Sequence, residues 1–208
     1  VQTCALPISS LSVPGFLQLL EGFGRDQLER HESAVIGLLP NLTLGYLNPA
    51  WTRFARENGG ADIPERWGLG AGFLDAMSGP VRGLFDRELH RCLGTGKPWQ
   101  HDYECSSADR FRSFHVDVFP LEAEAGLLLI NTLVVDRPHG VDRVPAAPVE
   151  ELYTDSDGLI LQCSYCRRVR RADGSEHWDW VPEWLVDRPD NLTGGLCKPC
   201  YCVRFGPA

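Results

Sequence analysis

The chain has 208 residues, 43% of them hydrophobic and 10% aromatic, a composition that excludes a disordered polypeptide and fits one ordinary domain with a smaller one beside it. A formal net charge of −8 and a pI near 5.2 argue against a general binder of nucleic acid or anionic membranes, because neutralising phosphates needs a surplus of Lys and Arg. The longest apolar run, residues 127–135, carries Asn131 and Thr132 and falls far short of the roughly 20 residues a membrane-crossing helix needs, so no membrane span is expected.

Val1 to Ile8 resembles the in-frame translation of a sequencing adapter, which sets residues 1–10, with Cys4, aside as an artefact. The stretch lacks the charged and long apolar regions of an export signal, so the cytoplasm is the expected compartment. Residues 11–33 form a weakly helical N-terminal segment, with Phe16, Leu17, Leu19, Leu20 and Leu28 apolar and Gly22 and Gly24 interrupting them; one or two short helices are expected. Residues 34–39 and 42–47 are apolar runs around Pro40-Asn41, the pattern of a tight strand pair. Asn48 then caps a helix, Pro49 takes its first position, and Trp51, Phe54 and Ala55 give an apolar face that stops at Asn58-Gly59-Gly60.

The glycine-rich stretch 61–78 reads as short helical turns. After Gly79-Pro80 an amphipathic helix carries Val81, Phe85, Leu89, Cys92 and Leu93 on one face and ends at Gly94 and Gly96. Three strands follow, at 99–105, 111–119 and 126–135. Strand, strand, helices and three strands make an α+β domain, a five-stranded antiparallel sheet with its helices on one side.

Four stretches, Ile36-Gly37-Leu38-Leu39, Leu44-Gly45-Tyr46-Leu47-Asn48-Pro49-Ala50-Trp51, Asp102-Tyr103-Glu104-Cys105 and Phe114-His115-Val116-Asp117-Val118-Phe119-Pro120-Leu121, together resemble a PAS sensory domain, here residues 34–137. The resemblance implies a small cavity that holds a cofactor, a metabolite or nothing, and a domain that can form a homodimer. Alternation puts Trp99, His101, Tyr103 and Cys105 on one strand face and Phe114, Val116 and Val118 on one face of the next. Should those faces point inward, His101 and Tyr103 are the polar groups nearest a ligand and Asn131 is a third pocket candidate. Half-exposed strand residues and an internally satisfied asparagine explain the same pattern without a ligand. The Asn-Cys-Arg-Phe-like segment of light-sensing relatives is missing, which argues against flavin. His90 lies off the apolar stripe of its helix, which argues against haem.

Pro138, Pro145 and Pro148 mark a semi-rigid linker at 138–151. The tail, 152–208, has too few aliphatic residues to hold a core without a staple. Four of the eight cysteines supply one, as the pairs Cys163-Ser164-Tyr165-Cys166 and Cys197-Lys198-Pro199-Cys200, separated by 30 residues. Two such knuckles give zinc a closed tetrahedral shell with bonds of about 2.3 Å; two separate pairs, redox-active or simply buried, are the alternative. Four thiolates on a divalent cation leave a net charge of about −2, which Arg167, Arg168, Arg170 and Arg171 stand close enough to balance, with nucleic-acid contact as the alternative use of that run.

The tail also resembles a zinc-ribbon-like segment of bacterial PAS and response-regulator proteins, matched at Cys163 to Arg170, at Asp173-Gly174 with Trp178, and at Gly194-Gly195-Leu196-Cys197-Lys198-Pro199-Cys200. Gly194 stands where that pattern carries His. Cys202 is a spare thiol, and Tyr165, Trp178, Trp180 and Trp184 are the expected small core.

No P-loop or kinase-like segment occurs, and a closed thiolate shell leaves zinc no open position, so no enzyme is expected. The function that follows is non-enzymatic sensing and regulation in prokaryotic signal transduction. A PAS-like domain would sense a small molecule or partner, and a structural zinc tail would dock or relay to a signalling protein. A thiol/zinc redox switch is the alternative, and a DNA-binding regulator acting through Arg167 to Arg171 a further one.

Overall fold

Short strands and helices alternate from the first described residues onward. The computed structural model describes residues 10–57, 67–141 and 143–206; Cys4, the Asn58-Gly59-Gly60 helix stop and the first part of the 61–78 stretch lie outside them. Strand β1 (Leu11–Ser12) leads into helices α1 (Phe16–Leu19) and α2 (Arg25–Arg30), strands β2 (Ala34–Leu38) and β3 (Leu44–Leu47), and helix α3 (Pro49–Glu57). Helix α4 (Gly79–Thr95) precedes strands β4 (Trp99–Glu104), β5 (Arg110–Pro120) and β6 (Leu127–Pro138). These strands form a six-stranded antiparallel sheet in the order β1-β3-β2-β6-β5-β4.

The sheet therefore has one strand more than the five expected. The extra edge is β1, paired with β3 through Leu11 and Leu47, and Val13 N–H donates to the Gly45 carbonyl at 2.9 Å. Two residues are too few to show a period-2 pattern, which is why the segment reads as helix alone.

The chain divides into two compact units. The first gathers the described residues up to Ala76 with Phe85–His101 and His115–Thr132; the second gathers Met77–Leu84, Asp102–Phe114 and the described residues from Leu133 onward.

In the first unit, the pairings Ile36 with Leu47 and Leu129, and Gly37 with Tyr46 and Leu128, sort the central strands into two faces. Phe16, Leu20 and Leu28 of the N-terminal helical segment pack against Val35, Tyr46 and Leu128. The opposite face, carrying Ile36, Leu47 and Leu129, is buried as well. Both faces are thus buried, one of them under the N-terminal helical segment, which is why 34–38 and 44–47 read as continuous apolar runs. Phe16 lies flat on two glycines, since a Cβ at Gly37 or Gly45 would meet its ring at 2.3 and 2.6 Å. Only glycine admits a ring so close to the strand backbone.

Asn48 caps α3 as its position predicts, its Oδ1 accepting from Trp51 N–H at 3.0 Å. It also ties α2 to β2. The same oxygen accepts from Val35 N–H at 2.9 Å, and its Nδ2 donates to the carbonyls of Leu28 and Ser33 at 3.2 and 3.0 Å. A fully buried amide so satisfied fixes the chain path around it.

The second unit contains helix α5 (Glu150–Tyr153), strands β7 (Ile160–Cys163), β8 (Val169–Arg170), β9 (Trp178–Asp179) and β10 (Leu192–Gly195), and helix α6 (Lys198–Phe205). Its sheet runs β10-β7-β8-β9, parallel between β10 and β7 and antiparallel elsewhere. Tyr153, Ile160, Val169, Val181, Trp184 and Leu192 form its apolar cluster. Tyr165, Trp180 and Trp184 are buried as expected, and Trp178 is half-buried. Three described residues of the Pro-rich stretch 138–151 are tied down: His139 Nε2 to the Ser107 carbonyl at 2.8 Å, Arg143 to Glu104, and Ala146 N–H to the Trp180 carbonyl at 2.7 Å.

Candidate metal centre

Strand register carries the two knuckles to one place. β10 runs parallel to β7 with Gly195 opposite Cys163, so the chain leaving β10 reaches Cys197 beside the turn that follows β7. Ser164 N–H donates to the Gly195 carbonyl at 2.9 Å and locks that approach. The first knuckle is closed by Arg167 N–H to the Cys163 carbonyl at 3.0 Å, with Arg167 in the left-handed region at φ 62. The second opens α6: Cys197 is its N-cap and Cys200 lies in its first turn, where the partial positive charge of free amides favours thiolate.

The sulfurs of Cys163, Cys166, Cys197 and Cys200 all lie within 4.8 Å of one another, the arrangement the sequence spacing predicts. Cys166 Sγ and Cys197 Sγ are 3.7 Å apart. A zinc tetrahedron with bonds of about 2.3 Å has sulfur–sulfur edges of about 3.8 Å, so the spacing fits a shared cation. A disulfide needs about 2.05 Å, and all four residues are free thiols.

At this spacing the four thiols perturb one another. Hydrogen bonds from Cys166, Cys197 and Cys200 push the Cys163 thiol far down, while Cys166 and Cys200 are pushed up, each chiefly through its bond to Cys163. Crowded thiols share few charges among themselves; a divalent cation lets all four ionise. Soft thiolate donors in tetrahedral number match zinc.

Side chains from distant parts of the chain enclose the centre. Val81 of α4, Tyr103 of β4, Trp178 and Leu196 pack against the cysteine cluster. Gly79 and Gly194 meet backbone to backbone: a Cβ at Gly79 would stand 2.3 Å from the Gly194 carbonyl oxygen, and one at Gly194 would stand 2.4 Å from Ser78 Oγ. A side chain at position 194 would therefore have to displace Ser78 or Ser164.

A cavity of about 400 Å³ opens beside the centre, lined in part by Cys166, Cys197, Cys200, Arg143, Arg168 and Trp178. Of the arginine run, Arg170 faces Asp155 at 3.9 Å and Arg171 binds Asp179 at 2.6 Å, which leaves Arg168 as the member on the cavity wall. Arg143 is the counter-charge that sequence reasoning missed. Its side chain is only 9% exposed, paired with Glu104 and stacked 4.6 Å from the Trp180 ring. Its place in a proline-rich stretch gave no periodic or spacing signal.

Of the pocket candidates, His101 stacks on Trp99 at 5.3 Å and meets Phe85 edge-on at 5.8 Å, in the first unit. Asn131, also in the first unit, is half-buried on β6 opposite Ala34. Tyr103 belongs to the second unit, where it stacks on Phe114 at 5.5 Å and packs against the cysteines. His90 is exposed, its Nδ1 held by the Asp86 carbonyl at 2.8 Å. Cys202 stands outside the converging group of four.

No family model matches the chain, and no curated protein matches it in sequence. Among solved structures, a phage VqmA–DPO complex aligns at 12% identity and TM-score 0.41, over 58% of this chain and 57% of that one. The sensor region of a sensor histidine kinase aligns at 17% identity and TM-score 0.35, over 51% and 40%. A Vibrio cholerae VqmA dimer in the absence of target DNA aligns at 12% identity and TM-score 0.37, over 56% and 51%. The chain thus spans about half the length of these structures. At TM-scores this low the likeness assigns neither fold nor function to it.

Proposed function

We propose that this chain is a non-enzymatic sensory and regulatory protein of prokaryotic signal transduction, in which a PAS-like domain takes a small molecule or partner and a zinc-held tail docks or relays. The observation that carries this reading is the convergence of four thiols from two knuckles. Cys163, Cys166, Cys197 and Cys200 would hold the ion; four thiolates fill its shell, so its work is structural and no water is activated there. Bound zinc supplies stability that the small apolar cluster around Tyr153 and Trp184 supports only in part.

The sensory half rests on the sequence resemblance together with the α+β sheet covered on both faces. His101 and Asn131 remain its ligand candidates, and Tyr103, packed on the cysteines, is better read as part of the zinc side. Free thiols favour a reducing compartment such as the cytoplasm. No helix among the described residues is long and apolar enough to cross a membrane. Charge balancing by Arg168 accounts for that arginine without nucleic acid, and Arg170 and Arg171 face carboxylates.

Native mass spectrometry of the full chain tests the reading. One zinc per chain, a dimer, and a small molecule that is lost on denaturation are the expected result. A folded chain that carries no metal would contradict it.

A further inference from the structure

The four sulfurs are not equivalent. Cys166, Cys197 and Cys200 all line the cavity of about 400 Å³, but Cys197 is only 3% exposed and Cys163 is fully buried, whereas Cys166 and Cys200 are half-buried. We propose that this cavity is a site of attack by hydroperoxides, with Cys166 and Cys200 as the sulfurs that react first. The proposal rests on the zinc reading of the tail, since zinc holds the sulfurs as thiolates, and thiolate is the form that attacks peroxide.

The cavity suits that chemistry. Four thiolates on a divalent cation carry a net charge of about −2, which repels anions but not a neutral hydroperoxide. Arg143 and Arg168 stand on the wall with His177 and Glu176. The two guanidinium groups can stabilise the negative charge that builds on the departing oxygen. Arg143 is fixed beforehand by Glu104 and by Trp180, so no reorganisation is required of it.

The steps balance. The Cys166 sulfur attacks one peroxide oxygen, the S–O bond forms as the O–O bond breaks, and the departing alkoxide or hydroxide takes a proton from water. Sulfur is oxidised to a sulfenic acid and the peroxide is reduced to an alcohol or to water. The Cys197 thiolate, 3.7 Å away, then displaces hydroxide from that sulfur and leaves a Cys166–Cys197 disulfide. Reaching the disulfide length of about 2.05 Å closes the gap by less than about 2 Å. Two thiolates remain, too few to hold the ion against release.

The test uses the full chain with its zinc content measured first. It is exposed to one equivalent of hydrogen peroxide with dimedone present throughout, and adducts are mapped by peptide mass spectrometry. Adducts on Cys166 and Cys200 are expected at about tenfold the level on Cys163 and Cys197. They should also precede the adduct on Cys105, an exposed cysteine that does not line the cavity. Equal labelling of the four, or Cys105 first, overturns the proposal. Arg168→Gln that retains zinc should slow labelling at Cys166 and Cys200 by about threefold or more and leave Cys105 unchanged; an unaltered rate overturns the part given to the guanidinium. Substoichiometric zinc before peroxide overturns the metal reading and this proposal with it, whereas full zinc without cavity preference overturns this proposal alone.

Discussion

Replacing Gly79 with alanine tests how the start of α4 is built into the zinc side of the second unit. Gly79 has φ 59, and a Cβ there would stand 2.3 Å from the Gly194 carbonyl oxygen, a backbone atom that cannot rotate away. The left-handed backbone alone costs a residue with a Cβ about 1–2 kcal/mol. Overpacking against fixed neighbours adds about 1–3 kcal/mol. The sum, about 2–5 kcal/mol, lowers Tm by roughly 4–20 °C in a chain of this size. Gly174 is the internal control, because its φ is 81 and nothing lies within 4 Å of the added atom. Gly174→Ala should therefore show the backbone cost alone, about 1–2 kcal/mol. Urea unfolding of both variants reads the difference. Gly79→Ala should also lose zinc to a chelator faster, because Gly194 and Gly195 hold the register that brings Cys197 to Cys163. Equal midpoints for the two variants would refute the contact and the reasoning drawn from it.

Asn48→Ala strands the Val35 and Trp51 amides and the Leu28 and Ser33 carbonyls in a buried site, and should cost about 3–5 kcal/mol in denaturant unfolding. Burial works to raise the Asp179 carboxyl, but hydrogen bonds from Arg171 and Tyr153 outweigh it and hold the group below its ordinary value. Stability from that group is complete above the unfolded pKa of about 3.9 and is lost as pH falls through the lower folded value, so Asp179→Asn should flatten the acid limb of a stability–pH profile. Burial and the Asp179 hydrogen bond push the Tyr153 hydroxyl up to about 12. Its contribution holds below about pH 10 and fades as pH rises toward the folded value, an alkaline limb that Tyr153→Phe removes. Changing Arg167, Arg168, Arg170 and Arg171 to alanine should leave retardation of a duplex at low salt unchanged; a salt-sensitive band lost with the four would favour the DNA-binding reading.

The cysteine site was legible because metal ligation depends on residue type at short spacing, and both knuckles keep theirs. The capping of α3 by Asn48 was legible for the same reason: a local bond set by adjacent residues. What escaped depends on distance along the chain. Nothing near Leu11 announces that it will pair with Leu47, and nothing near Val81 or Tyr103 announces that they will pack beside cysteines far downstream. Arg143 escaped similarly, since a lone arginine among prolines has no pattern until its partner Glu104 is in place. The arginine run misled in the other direction. Four basic residues in five positions suggest one surface, but strand alternation and the knuckle turn send Arg170 and Arg171 to separate carboxylates.

Zinc K-edge X-ray absorption on the purified full chain measures the proposed centre itself. The account predicts four sulfur scatterers at about 2.3 Å and no nitrogen or oxygen in the shell. A shell with fewer sulfurs, or one completed by nitrogen or oxygen, would contradict it.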